Sequence, residues 1–246
     1  MRISRRALLA GALTARPLAG QPSALVIDAN RHAGYASEAA VEITLRQMED
    51  GGIHHSILSG ISNETRNQQI AEICKQHPGK LIGFARHDPA KDAASTLRRE
   101  IETLGLKGLT VSRQPTRGLL ETIAELRIPV LYQNDVLAEL HMAAQEFPQI
   151  PFIVTELGNT APGFAAHYEA IGIARRYPNV YLTTAALEGY EYLEIAAKEL
   201  GAQKLIFASN GPEADSRVEL YRVRLLKLPP AREAMVLGGN MQRLVS

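Results

Sequence analysis

Short, β-branched apolar runs recur along this chain with a spacing of roughly 22 to 29 residues, and longer amphipathic stretches separate them. The runs are Leu25–Asp28, Ile53–Leu58, Leu81–Ala85, Gly108–Val111, Pro129–Tyr132, Pro151–Thr155, Val180–Thr183 and Leu205–Ala208. Eight such strand–helix units in a chain of 246 residues imply a closed parallel barrel, an α/β fold of the (β/α)8 TIM-barrel class in a single domain. An open doubly wound sheet would have fewer strands and a glycine-rich phosphate loop after the first. No G-x-G-x-x-G is present.

The intervening stretches have the period of helices laid over such a barrel. Asp92 is placed to cap a segment with Leu97, Ile101 and Leu104 on one face, and Gly105 ends it. Asp135 does the same for Leu137, Leu140, Ala144 and Phe147, stopped by Pro148. Phe164, Tyr168, Ile171 and Arg175 continue the pattern ahead of Pro178. Pro129 and Pro151 open their strands, where a missing N–H is tolerated.

Charge narrows the partners. The 27 Lys and Arg residues nearly balance 26 Asp and Glu, and no basic block or zinc-finger spacing occurs, so nucleic acid is excluded as an expected partner. The single cysteine, Cys74, rules out an internal disulfide and a cysteine zinc cluster. With Ile70 and Ile73 nearby on a helical face, it reads as a small core residue.

Residues 1–24 have a different character from residues 25–246, which make up the barrel. Arg5-Arg6 precede the short apolar run Ala7 to Ala15, a pattern that resembles a twin-arginine export signal. The run is too short for a stable membrane span. The expectation is an exported, periplasmic protein with a cleaved leader; the alternative is an unprocessed extension on a cytoplasmic one.

The C-terminal ends of barrel strands build the site. Asn30 and His32, Ser59, Arg86 and His87, Thr110 and Ser112, Gln133 and Asn134, Glu156, Thr184, and Ser209 with Asn210 fall there. Asp28, Asn30 and His32 share one parity, so a straight strand would point all three to one side. Glu156 ends a buried apolar run, where a carboxylate must be paired, protonated or bound to a cation. It is a candidate metal ligand or general base with a raised pKa, or else an ion-pair partner for Arg31, Arg86 or Arg113. His87 is a candidate second imidazole. His54 and His55 begin their strand, far from the site end, and His77, His141 and His167 lie in helical stretches. Ser209 lacks the Gly-x-Ser-x-Gly surroundings of a nucleophile.

A series of motifs taken in order resembles the amidohydrolase-related family, whose members include small-acid decarboxylases and lactone hydrolases. The motifs are Ile27-Asp28-Ala29-x-x-His32, Leu81-Ile82-Gly83-Phe84-Ala85-Arg86-x-Asp88-Pro89, Leu106-Lys107-Gly108-Leu109, Ile128-Pro129-Val130-Leu131, Tyr177-Pro178-Asn179-Val180-Tyr181-Leu182, Leu205-Ile206-Phe207-Ala208-Ser209 and Leu237-Gly238-Gly239-Asn240. The resemblance spans nearly all of the chain after the leader. It implies one divalent ion, often zinc, held by an opening His-x-His, a histidine after each of strands five and six, and an aspartate after strand eight that also moves protons. Those positions fall on Asn30, His32, Gln133, Glu156 and Asn210, so His32 alone keeps the family's residue type.

Amide oxygens are weak zinc ligands. The substituted set leaves two readings open: a divalent ion, zinc or a harder one, held through Asn30, His32 and Glu156, or no metal at all. Glu156 and Asn210 are the catalytic candidates, and Arg86, Gln133 and Asn134 the substrate-binding ones. The leading expectation is a hydrolase or carbon–carbon lyase acting on a small carboxylated or carbonyl compound. The other is a catalytically inactive barrel that binds a small polar ligand or a partner. Homo-oligomers are an expectation carried by the resemblance.

Overall fold

A computed structural model describes residues 24–32, 38–60, 67–88, 94–133, 137–158, 165–185, 189–212 and 214–246. The leader other than Ala24, together with Asp92, Asn134, Asp135 and Phe164, lies outside the described residues. All strands run parallel: β1 Ile27–His32, β2 His55–Ser59, β3 Leu81–Gly83, β4 Ala85–His87, β5 Leu109–Val111, β6 Val130–Tyr132, β7 Phe152–Val154, β8 Val180–Thr183 and β9 Leu205–Ile206. The helices are α1 Glu38–Gly51, α2 Asn67–Gln76, α3 Ala94–Leu104, α4 Arg117–Leu126, α5 Ala138–Glu146, α6 Ala165–Arg176, α7 Tyr190–Leu200, α8 Ser216–Leu225, α9 Pro230–Ala234 and α10 Asn240–Val245.

The predicted third strand is parted into β3 and β4 at Phe84, whose N–H reaches back to the Leu58 carbonyl at 3.0 Å. Across that joint the strands remain one circuit, because Lys107 N–H bonds Gly83 O at 2.8 Å and Ala85 N–H bonds Gly108 O at 2.9 Å. The circuit closes where β1 meets the chain beyond β9. There Ala29 N–H bonds Phe207 O at 2.9 Å, Asn210 N–H bonds Asn30 O at 3.1 Å, and His32 N–H bonds Gly211 O at 2.7 Å.

Two apolar cores follow from strand alternation. Ile27, Ala29, Ile57, Phe84, Leu131, Ile153, Ile206 and Ala208 form the inner cluster, while Leu58, Ala85, Leu109, Val111, Val130, Tyr132, Phe152, Val154 and Phe207 pack outward with helix residues such as Leu97, Leu119, Ile123, Leu140 and Ile171. Cys74 lies at the edge of the outer core, and burial pushes its thiol up to about 12. On α6 the buried face is shifted from the expected one. His167, Ala170, Ile171, Ile173 and Ala174 face in, and Tyr168 is exposed. His167 stacks on Tyr192 and sits 3.1 Å from the Leu157 carbonyl through Nδ1, so a buried imidazole does the work that an apolar residue was expected to do.

β1 departs from a straight strand. Its register against β2 slips between Asp28 and Arg31, a β-bulge that breaks the parity expected for Asp28, Asn30 and His32. Asp28 turns out of the inner cluster to meet Arg31 at 3.1 Å, both side chains fully buried. Arg31 Nη1 also reaches Ser209 Oγ at 3.1 Å and Ser216 Oγ at 3.3 Å, and its Nη2 bonds Gln47 Oε1. The guanidinium lies so close over Gly211 that a Cβ there would be 2.5 Å from it.

At the opposite end of the barrel the π-helical turn Met235–Gly239 and α10 lie across β1 and β9. Phe207 N–H bonds Val236 O at 2.9 Å, and Asn240 Nδ2 donates to the carbonyls of Ala202 and Leu205, each at 2.8 Å. Gly238 is required there because a Cβ would sit 2.2 Å from the Leu25 carbonyl oxygen.

Two outcomes follow for stability. Gly238→Ala is expected to lower unfolding free energy by about 1–3 kcal/mol in urea melts, since the obstructing atom is backbone and cannot swing aside. Arg31→Met leaves Asp28 as an uncompensated buried charge, and a loss of about 3–5 kcal/mol is expected.

Candidate active site

Alternation along each strand decides which side chains reach the barrel mouth. Arg86 follows Phe84 by two residues, Gln133 follows Leu131, and Asn210 follows Ala208; the three earlier residues belong to the inner cluster. The bulge in β1 brings Asn30 to the same place.

These residues are joined in a directed chain of hydrogen bonds. Arg86 Nη1 donates to Gln133 Oε1 at 2.7 Å, Gln133 Nε2 donates to Asn30 Oδ1 at 3.4 Å, and Asn30 Nδ2 donates to Asn210 Oδ1 at 2.7 Å. The Asn210 side chain in turn hydrogen-bonds the Glu156 carboxyl. Each amide accepts at its oxygen and donates from its nitrogen, so the dipoles align from a cation at one end to a carboxyl group at the other.

Both ends are fixed by their surroundings. Asn67, at the start of α2, accepts from Arg86 N–H at 2.8 Å and donates to Arg86 O at 3.3 Å, while Arg86 Nη1 also reaches Gly60 O at 3.0 Å. Glu156 N–H donates to Thr183 Oγ1 at 2.9 Å. Glu156, Leu157 and Asn210 all hold left-handed backbone, with φ of 54°, 51° and 58°. For residues such as Glu156 and Leu157 that conformation costs on the order of 1–2 kcal/mol each, and less for Asn210, since asparagine adopts it more readily.

The two ends differ electrostatically. Burial pushes the Glu156 carboxyl above its ordinary value, and the hydrogen bond from Asn210 opposes this. Burial also draws the Arg86 guanidinium downward from its ordinary value. Such a group still remains a cation at neutral pH.

Of the residues expected at the site, Asn30, Arg86, Gln133, Glu156 and Asn210 come together in this chain. His32 ends β1 opposite Ser59, half-buried, two residues beyond Asn30, the strand's member of the relay. Asn134 lies outside the described residues. His87 is not a second site imidazole: it points away from the inner cluster, and its Nε2 meets Glu100 Oε2 on α3 at 2.6 Å. Arg31, considered as a partner for Glu156, is committed to Asp28. Ser209 is structural, donating to Asp28 Oδ2 at 2.5 Å and accepting from Gly211 N–H at 3.0 Å. Tyr132 is packed, with its hydroxyl 3.3 Å from Gln114 Oε1. Asn67 and Thr183 were not expected. Thr183 carried a usable signal, as the last residue of a strand beside Glu156; Asn67 carried none, because its reach to Arg86 exists only in three dimensions.

The donor set departs from the one that the motifs imply for a divalent ion. Among the described residues no three His, Cys, Asp or Glu side chains gather closely enough to hold one. The Asn30, Gln133 and Asn210 oxygens already accept N–H donors. Zinc in particular favours nitrogen, sulfur or carboxylate ligands, of which this set offers only His32 and Glu156.

The raised Glu156 value sets a pH dependence. A carboxyl whose folded pKa exceeds its unfolded value, ordinarily about 4.3, contributes stability below that unfolded value and loses it as pH rises through the folded one. Wild-type protein should therefore lose stability relative to Glu156→Gln as pH is raised from about 4 toward neutrality. Paired urea melts across that range would reveal a constant difference if Glu156 ionised normally.

Comparison with known proteins agrees with the fold. The amidohydrolase family profile matches residues 16–246. Among solved structures, 5-carboxyvanillate decarboxylase from Sphingomonas paucimobilis superimposes with a TM-score of 0.70 at 15% identity, covering 91% of this chain and 99% of that one. A 2,6-dihydroxybenzoate decarboxylase from Rhizobium gives 0.68 at 16% identity, with 90% and 98% covered. A dihydroxybenzoic acid decarboxylase from Polaromonas, with bound manganese and the inhibitor 2-nitroresorcinol, gives 0.69 at 18% identity, with 90% and 96% covered. A sequence search of curated proteins finds no match. With its profile matched over nearly the whole length and its strands closed into a TIM barrel, the chain belongs to the amidohydrolase family.

Proposed function

We propose that this chain is a carbon–carbon lyase that decarboxylates a small aromatic acid, with Glu156 as proton donor and Arg86 as the anchor for substrate charge. The observation that carries the reading is the directed relay from Arg86 through Gln133, Asn30 and Asn210 to Glu156. It has a cation at one end and, at the other, a carboxyl group whose proton affinity burial raises, the two groups such a reaction needs. Solved relatives of the same fold act on 5-carboxyvanillate and 2,6-dihydroxybenzoate, which are aromatic acids.

In the proposed step the proton on Glu156 moves to the ring carbon that bears the carboxylate. The carbon–carbon bond then breaks, its electron pair restores the ring, and carbon dioxide leaves. Water returns a proton to Glu156. Asn210 holds the carboxyl group in place and bears the charge left on it, but as an amide it cannot take a proton from water. This favours a lyase over a hydrolase, which would need a base at that position. Manganese accompanies some solved relatives, and a divalent ion is the cofactor they imply. The amide-rich set here is a weak one for zinc, with His32, Glu156 and the amide oxygens the residues that would hold a harder ion, and each step is assigned to the side chains.

Carbon dioxide release from a panel of hydroxylated benzoates tests the activity. Glu156→Gln is expected to lower kcat by about 10²- to 10⁴-fold with little change in KM. Arg86→Met should chiefly raise KM. Plasma mass spectrometry on protein expressed with manganese and zinc should find far less than one ion per chain. Near-stoichiometric metal that disappears in both His32→Ala and Glu156→Ala would replace the metal-free route with a rebuilt metal site.

A further inference from the structure

Glu156 stands first in a run of three left-handed residues, with φ of 54° at Glu156, 51° at Leu157 and 86° at Gly158. Residues with a side chain visit this region singly, and a succession of them relaxes to ordinary backbone unless it is held. Relaxation at Glu156 would turn φ by more than about 100° and swing the carboxyl group away from Asn210. Three contacts hold the run. From β8, Thr183 Oγ1 accepts the Glu156 N–H at 2.9 Å. Gly158 lies against α6, where a Cβ would be 2.5 Å from Ala170 Cβ and 3.0 Å from the Ala166 carbonyl oxygen. Between them, Nδ1 of His167 on α6 meets the Leu157 carbonyl at 3.1 Å.

Packing alone does not account for an imidazole at this position. The fully buried His167 ring stacks on Tyr192 of α7, with centroids 4.4 Å and planes 25° apart, and Tyr168 meets Tyr192 edge-on at 5.5 Å. A phenyl ring would fill the same stack. The imidazole brings in a second nitrogen, Nε2, which is buried and has no hydrogen-bond partner among the described residues. Such a nitrogen is a cost to stability. Because a carbonyl oxygen can only accept, the ring hydrogen must sit on Nδ1, and Nε2 is left bare. What the imidazole supplies and a phenyl ring cannot is the N–H that the Leu157 carbonyl receives.

We infer that His167 is a positioning residue for Glu156: through the Leu157 carbonyl it holds the left-handed turn that sets the Glu156 carboxyl group beside Asn210. The inference rests on the reading of Glu156 as proton donor, and His167 itself touches no reacting atom. The Tyr192 ring fixes the plane of the imidazole, so α6 and α7 together aim one N–H at the turn. A carboxyl group that must meet a substrate carbon gains from such a brace, since a small misplacement of a reacting group lowers rate far more than it lowers binding.

Two variants of the full chain test this. His167→Phe keeps a ring for the stack and removes the donor, whereas His167→Asn gives up the ring and keeps an N–H near the place of Nδ1. For carbon dioxide release, His167→Phe is expected to lower kcat about ten- to a hundredfold with KM nearly unchanged, and His167→Asn to recover much of that loss. By nuclear magnetic resonance, the Glu156 amide hydrogen should exchange about tenfold faster or more in His167→Phe and near the wild-type rate in His167→Asn. Nitrogen-15 spectra of the wild-type ring should show hydrogen on Nδ1 and a bare Nε2, a readout that no variant's folding can disturb. Hydrogen on Nε2 alone would overturn the inference, as would an unchanged kcat in His167→Phe or equal losses in both variants. A wild-type protein that turns over none of the acids would strike the lyase reading alone, and the exchange rates and the ring spectrum would still decide whether His167 holds the turn.

Discussion

Arg31 and Asp28 meet at 3.1 Å with no solvent contact, at the junction where the first strand lies against the last. A barrel of parallel strands depends on this junction because its other contacts are between strands that neighbour each other in sequence, whereas here residues about 180 positions apart must find each other. The backbone alone supplies few bonds across it. The buried pair adds Ser209, Ser216 and Gln47, so one guanidinium ties β1, α1 and the loop into α8 together. Such a group is costly to remove from water and holds its place only because every arm but one finds an acceptor.

That junction also determines the site. Asn30 and Arg31 are consecutive, as are Ser209, Asn210 and Gly211, so the residues that bond outward to the buried pair flank those that bond inward to each other. The bulge between Asp28 and Arg31 sends the charges to the helix side of β1 and the Asn30 amide to the mouth. Within this frame Glu156 holds left-handed backbone, which costs a non-glycine residue energy, while Asn210 takes the same conformation as a residue type that adopts it readily.

In the relay, three neutral amides separate the one cation from the one carboxyl group. An amide can accept and donate at once, so the chain conveys polarisation without placing a further charge in a half-buried site. A carboxylate in place of Asn210 would face Glu156 directly and raise its proton affinity further. The amide instead opposes the upward pull of burial on the Glu156 carboxyl without adding a charge.

Much of this was legible in the sequence. The eight runs gave the barrel, since strand spacing and apolar alternation are local properties that burial enforces everywhere. The strand ends gave Asn30, Arg86, Gln133, Glu156 and Asn210, because alternation carries the inner face of each strand through to its mouth. The motif at Leu237 to Asn240 was visible without its reason, which is that Gly238 lies against the Leu25 carbonyl. The failures have a common cause. The β1 bulge, the pairing of His87 with Glu100, the service of Asn67 to Arg86 and the inward turn of His167 all depend on partners far away in the chain. Periodicity along the sequence determined which residues face inward, and only the closed tertiary structure decided which of them touch, because contact across a barrel is set by register and shear between distant strands.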